Sequence, residues 1–178
     1  MLAAVAVGAQ EIPPAARLER FLAAAQSDPE GAAAELVRGG KVPVPALLDH
    51  LSNAAAAIER LTSTLQEIDA AEWSDASERD AAVAEARQEL ERTSRAASAL
   101  CLALGEVRDA RSLPALCDLL SCTEETVAGQ ASRAFVATNA PGRLDLLTQA
   151  FRLRPTTLIA TTLGALHSDV GAAACLST

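Results

Sequence analysis

Two long stretches of this chain repeat apolar side chains at alternating intervals of three and four residues. The first runs Leu51, Ala54, Ile58, Leu61, Leu65 and Ile68; the second runs Val83, Ala86, Leu90, Thr93, Ala97, Leu100 and Leu104. Heptad spacing of this kind draws one apolar stripe along a helix and buries it knobs-into-holes against a partner helix. A strand cannot use it, because side chains on a strand alternate with a period of two. The joining segment, about Ala71 to Asp75, is short, so the two helices are expected to pack antiparallel as one long hairpin over 45–104. Trp73 falls at its tip. It is expected to fold back over the hairpin end, with an exposed docking anchor as the alternative.

The rest of the chain agrees with an all-α fold. Half of the residues are apolar, but alanine dominates, with runs at 23–25, 32–34, 54–57 and 172–174. The aromatics are only Phe21, Phe135, Phe151 and Trp73. Alanine is the strongest helix former, whereas strands favour the aromatic and β-branched types. Pro13 and Pro14 open a helix whose stripe is Leu18, Phe21, Leu22 and Ala25. Asp28 and Pro29 read as an N-cap and first-turn pair, and Gly39-Gly40 as the stop of that second helix. Pro43 and Pro45 restart the chain into the hairpin.

From Ala103 to Leu120 the sequence reads A-L-G-E-V-R-D-A-R-S-L-P-A-L-C-D-L-L. This resembles the HEAT-like repeat family, in the short form found in phycobilisome-lyase-type repeats. Ala103, Leu104, Gly105, Asp109, Arg111, Leu113, Pro114, Ala115, Leu116, Leu119 and Leu120 carry the match. Gly105 is expected to close the first helix in a left-handed conformation. Asp109 is expected to accept from turn amides, and Pro114 to sit in the first turn of the next helix. Asp109, Asn139 and Asp169 are spaced by 30, as are Leu116, Leu146 and Leu176. Residues 124–153 thus read as a second copy, with its turn at Ala140-Pro141-Gly142. Residues 155–178 read as a third, with Leu163-Gly164 and Asp169. Leu36 to Pro43 followed by Leu47-Leu48 is similar to the corner of an armadillo repeat.

The resemblance implies a right-handed α-solenoid of HEAT-like helical pairs, carrying the long antiparallel hairpin. The expected organisation is a tail or signal remnant over 1–12, short helices over 13–44, the hairpin over 45–104, and repeats over 93–178 that share the hairpin's second helix. Stacked repeats present one curved face to other macromolecules. On that face the polar positions are Asp118, Ser121, Asp145, Gln149, Arg152 and Arg154.

Chemistry leaves fewer traces. The net charge is −8, and Lys41 is the single lysine. An acidic chain without a basic cluster is a poor nucleic-acid binder. Cys117 and Cys122 are five apart, which fits no zinc knuckle, and His167 with Cys175 is a poor completion of one. The four cysteines read as reduced, mainly core residues. His50 and His167 have no nucleophile constellation around them, and no phosphate loop or zincin motif occurs. No catalytic, cofactor or metal site is expected. The partner class is another protein or a peptide, an acidic peptide being one candidate because Arg152 and Arg154 sit together. No membrane span is expected. The location expected is cytoplasmic, with export as the alternative if residues 1–9 are the end of a signal peptide. The functional expectation is a non-enzymatic scaffold or adaptor. The alternatives are a fragment or structural subunit of a larger assembly, and a bilin-lyase-like repeat protein.

Overall fold

The structure, a computed structural model, describes residues 13–40 and 42–176, without the side chains of Pro14 and of residues 168–176. The tail over 1–12, its signal-remnant reading, Lys41 and the side chain of Cys175 lie outside the described residues. Among those described there are eight α-helices and no strand. They are α1 (Pro14–Ala24), α2 (Pro29–Arg38), α3 (Val44–Ala70), α4 (Ala76–Val107), α5 (Leu113–Leu119), α6 (Glu125–Ala137), α7 (Arg143–Leu153) and α8 (Thr157–Leu176). A single 3₁₀ turn, Ala110–Ser112, leads into α5.

The local signals that open these helices act as expected. Asp28 accepts from the Gly31 amide at 2.9 Å, and Pro29 follows it in the first turn of α2. Asp75 does the same for α4 through the Ser77 amide at 2.7 Å. Proline stands in the first turns of α1, α3 and α5, where its missing N–H removes no helical bond.

Packing sorts the helices into two layers. Helices α2, α4, α6 and α8 follow one another in one layer, and α3, α5 and α7 in the other. Across the layers the extensive contacts are α3 with α4, α5 with α6 and α7 with α8, while α1 lies on α2. The link from α6 to α8 includes a hydrogen bond between the Ser132 and Thr162 hydroxyls at 2.7 Å. One apolar core runs without a break from Leu18 to Leu166. It is built of aliphatic side chains and alanines, with Phe135 as its largest fully buried member.

Helices α3 and α4 make the most extensive contact in the chain, and the short Ala71–Asp75 connection forces them antiparallel. The two halves of α4 differ sharply. Between Ser94 and Gly105 nine residues are buried, while between Ala76 and Thr93 only Ala86 is. The inner half is core, enclosed by α2, α3 and α6; the outer half packs mainly on α3 and faces water, with the Gln26 amide reaching the Arg92 carbonyl at 3.4 Å near its inner end. At the tip Trp73 folds back, its indole N–H donating to the Ile68 carbonyl at 2.9 Å. That carbonyl belongs to the last turn of α3, which has no helical partner to offer it.

Two details of the repeat reading are corrected. Gly105 is not the left-handed residue; it lies inside α4, and Arg108 takes the left-handed position at φ 55°. The reason for glycine at 105 is proximity. A Cβ there would stand 3.0 Å from the Ala134 Cα and 3.1 Å from its Cβ, so α4 and α6 meet almost backbone to backbone. The second correction concerns the third copy. Helix α8 is continuous over Thr157–Leu176, so Gly164 and Asp169 occupy helical backbone and make no inter-helix turn. At the positions expected for the other two copies, the chain does turn between helices. Asp109 accepts from the Arg111 amide at 2.9 Å, and Gly142, with φ 79°, begins α7.

Candidate functional site

Along α3, one residue away from the heptad stripe, runs a second stripe with the same spacing: Ser52, Ala55, Glu59, Thr62 and Gln66. This stripe faces the other neighbour of α3, which is α5, and all five of its residues line the space between the two helices. Between them lies an open groove of about 660 Å³. Leu51, Ala55, Ala115 and Leu119 contribute apolar surface to it, and Glu59, Asp118 and Arg154 contribute charge. The Thr62 and Thr123 hydroxyls approach to 3.4 Å, joining α3 to the α5–α6 connection.

The six positions expected to form one surface divide into two groups. Asp118, Ser121 and Arg154 line the groove. Asp145, Gln149 and Arg152 are exposed on or at the end of α7 but do not line it. Arg152 and Arg154 are therefore not a joint cationic patch in this groove. Arg154 stands there with two carboxylates, those of Glu59 and Asp118, and the groove is mixed in charge. The α3 side of the site went unread in the sequence because the heptad stripe drew the whole interpretation of that helix. The offset stripe was the available signal.

The thiols near the groove are poor nucleophiles. Burial pushes the Cys101 thiol up to about 12, with Cys122 adding to the effect, and burial followed by Asp118 pushes Cys117 up to about 11. Burial also raises Cys122, which lines the groove. A thiol held this far above neutrality keeps its proton and does not attack or ligate readily. His50 and His167 are both exposed. Among the described residues no three His, Cys, Asp or Glu side chains gather as a metal site, and no helix is long and apolar enough to cross a membrane.

The turn motif at Asp109 is the best-defined polar cluster of the chain. Besides the Arg111 amide, Asp109 receives the Arg111 guanidinium through both carboxylate oxygens, at 2.7 Å to Oδ2 and 3.0 Å to Oδ1. The Ser112 hydroxyl donates to the Asp109 carbonyl at 2.7 Å. These bonds hold the Asp109 carboxyl down at about 2, chiefly through the Arg111 side chain and next its backbone N–H. Every partner is within three residues, so the cluster shapes the turn. No family model, curated protein or solved structure matches the chain.

Proposed function

We propose that the chain is a non-enzymatic protein–protein interaction scaffold, built as a right-handed array of HEAT-like helical pairs, and that the groove between α3 and α5 receives a segment of a partner protein. The observation that carries this reading is the convergence of Asp118, Ser121 and Arg154 with the offset stripe of α3 along one open groove. The two-layer succession of helices and the Asp109 turn support the array. A mixed-charge groove suits a peptide that sets an acidic residue against Arg154 and offers donors to Glu59 and Asp118. We place the protein in the cytoplasm, where free thiols such as Cys101, Cys117 and Cys122 stay reduced.

The test is selection of peptides from a displayed random library on the whole chain. Peptides enriched on the parent are expected to lose about tenfold or more in affinity for an Asp118→Arg, Arg154→Glu variant that remains folded, as expected for reversed charge pairs. Enriched peptides that bind this variant as well as the parent would move the site elsewhere.

A second reading, a structural subunit of a larger assembly, is favoured by one observation. Leu153, at the end of α7, is 75% exposed, and Phe151 beside it is partly exposed as well. An exposed leucine at a helix end suits a lateral contact. Sedimentation of the whole chain distinguishes the readings: a monomer at tens of micromolar speaks for the scaffold, and association abolished by Leu153→Arg speaks for the subunit.

A further inference from the structure

The other layer has a groove of its own, about 630 Å³, between the start of α2, the middle of α4 and the start of α6. Two of its lining residues are unusual. The Ser94 hydroxyl oxygen and the Gln130 Oε1 are buried without a hydrogen-bond partner, the two such side-chain atoms found among the described residues. Ser94 is only 7% exposed. A helical serine can return its hydroxyl to the carbonyl four residues back. The neighbouring Thr93 does so, donating to the Glu89 carbonyl at 2.8 Å, whereas Ser94 makes no such bond. A buried oxygen left in this state carries its desolvation cost uncompensated. Both residues line this groove, so an occupant that reaches their oxygens would supply the missing donors.

Charge says what kind of donor. Asp28, Glu30, Glu91 and Glu124 line the groove against Arg87 and Arg95. Asp28 is occupied by the Gly31 amide, and Glu91 is paired with Arg95, which also donates to the Gln26 carbonyl. Acids at helix N-termini are expected from the helix dipole alone, so these carboxylates by themselves mark nothing. Together with the two unpaired oxygens they give a groove rich in acceptors, with a net negative charge. The chain as a whole carries −8, which steers cationic partners towards it.

We propose that this groove docks a basic segment of a partner protein, with an arginine side chain inserted so that its guanidinium donates to Gln130 Oε1 and Ser94 Oγ. A planar fork of N–H donors serves two separate acceptors at once, which a lysine ammonium does less well. This site lies on a different layer from the α3–α5 groove and does not depend on it.

The experiment is fluorescence anisotropy on the whole chain with a labelled peptide of alternating alanine and arginine, its lysine and glutamate counterparts, and spermidine as competitor. The arginine peptide is expected to bind, the lysine peptide more weakly, and the glutamate peptide not at all. Gln130→Leu and Ser94→Ala are each expected to weaken binding about tenfold, the scale of one lost bond to a charged group. Both variants are also expected to hold or raise the parent melting temperature, since each removes an unpaired buried oxygen. Asp118→Ala leaves this binding unchanged, so the fate of one groove does not decide the other. The proposal is overturned by no binding of the arginine peptide, as for a groove filled only by ordered water. It is equally overturned if Gln130→Leu binds the peptide like the parent. Displacement by spermidine at concentrations as low as the peptide's own would make the occupant a small free cation and overturn the peptide assignment.

Discussion

Asp109 and Gly105 stand four residues apart and hold the same corner by different means. Asp109 acts through hydrogen bonds and charge. Its folded-state carboxyl at about 2 lies below the ordinary 3.8, so its contribution is complete above about pH 4 and disappears as the pH falls through about 2. Asp109→Ala, which removes the acceptor, is expected to cost about 1 kcal/mol at pH 6, the scale of a lost cap. That difference should shrink towards the acid limit, and denaturant midpoints of parent and variant taken across pH 2–6 measure it. Gly105 acts by having no side chain where α4 crosses Ala134. Gly105→Val is expected to cost about 2–3 kcal/mol by overpacking. Arg108→Gly is expected to stabilise by up to about 1 kcal/mol, because the left-handed strain sits at 108. A stabilising Gly105→Val, or a costly Arg108→Gly, would contradict this division. The sequence showed that a corner was here, but a glycine near a helix end reads equally as a stop or as a close approach. Only the neighbouring helix tells the two apart.

At the scale of the element, the hairpin was the most legible part of the fold, because its heptads extend over many turns and its connection is short. Its uneven burial was less legible. Leu65 and Leu90 have the same place in the pattern as Ile58 and Ala97, yet both are only half-buried, and Leu90 opens onto the groove among α2, α4 and α6. The outer segments of α3 and α4 depend mainly on each other, with exposed bonds such as Arg79 to Asp69 at 2.9 Å adding little. Leu65→Asp is expected to speed amide hydrogen exchange in both 61–70 and 76–88 together while leaving 97–107 protected. Faster exchange in only one of the two outer segments would count against their mutual support. The segment expected to be a third repeat shows the opposite case. Asp169 keeps the 30-residue spacing, but spacing alone does not end a helix, and nothing in Leu163 to Val170 has the force of the Pro141-Gly142 pair that opens α7.

For the whole molecule, the continuous core from Leu18 to Leu166 means that distant leucines answer to one transition. Leu116→Ala is expected to lower stability by about 2–5 kcal/mol, the usual range for a fully buried leucine. Its effect should appear equally by circular dichroism and by Trp73 fluorescence, although the tryptophan sits at the far tip of the hairpin. Two separate transitions would show that the hairpin and the later helices fold as independent units. The candidate site was half legible at this scale. The residues on α5 and after α7 came from reading this stretch as polar faces of successive helices, while the wall formed by α3 depended on how a long helix is shared between two neighbours, which no local pattern states.

Helix α4 is a single rod of 32 residues, about 48 Å at 1.5 Å per residue. One end is clamped among α2, α3 and α6, and the other is held mainly by α3. In mechanical terms it is a lever with its fulcrum near Ser94, where burial begins. Where the clamped end crosses α6, the missing side chain of Gly105 brings the two helices almost backbone to backbone, so a displacement of one meets the other with no side chain between them.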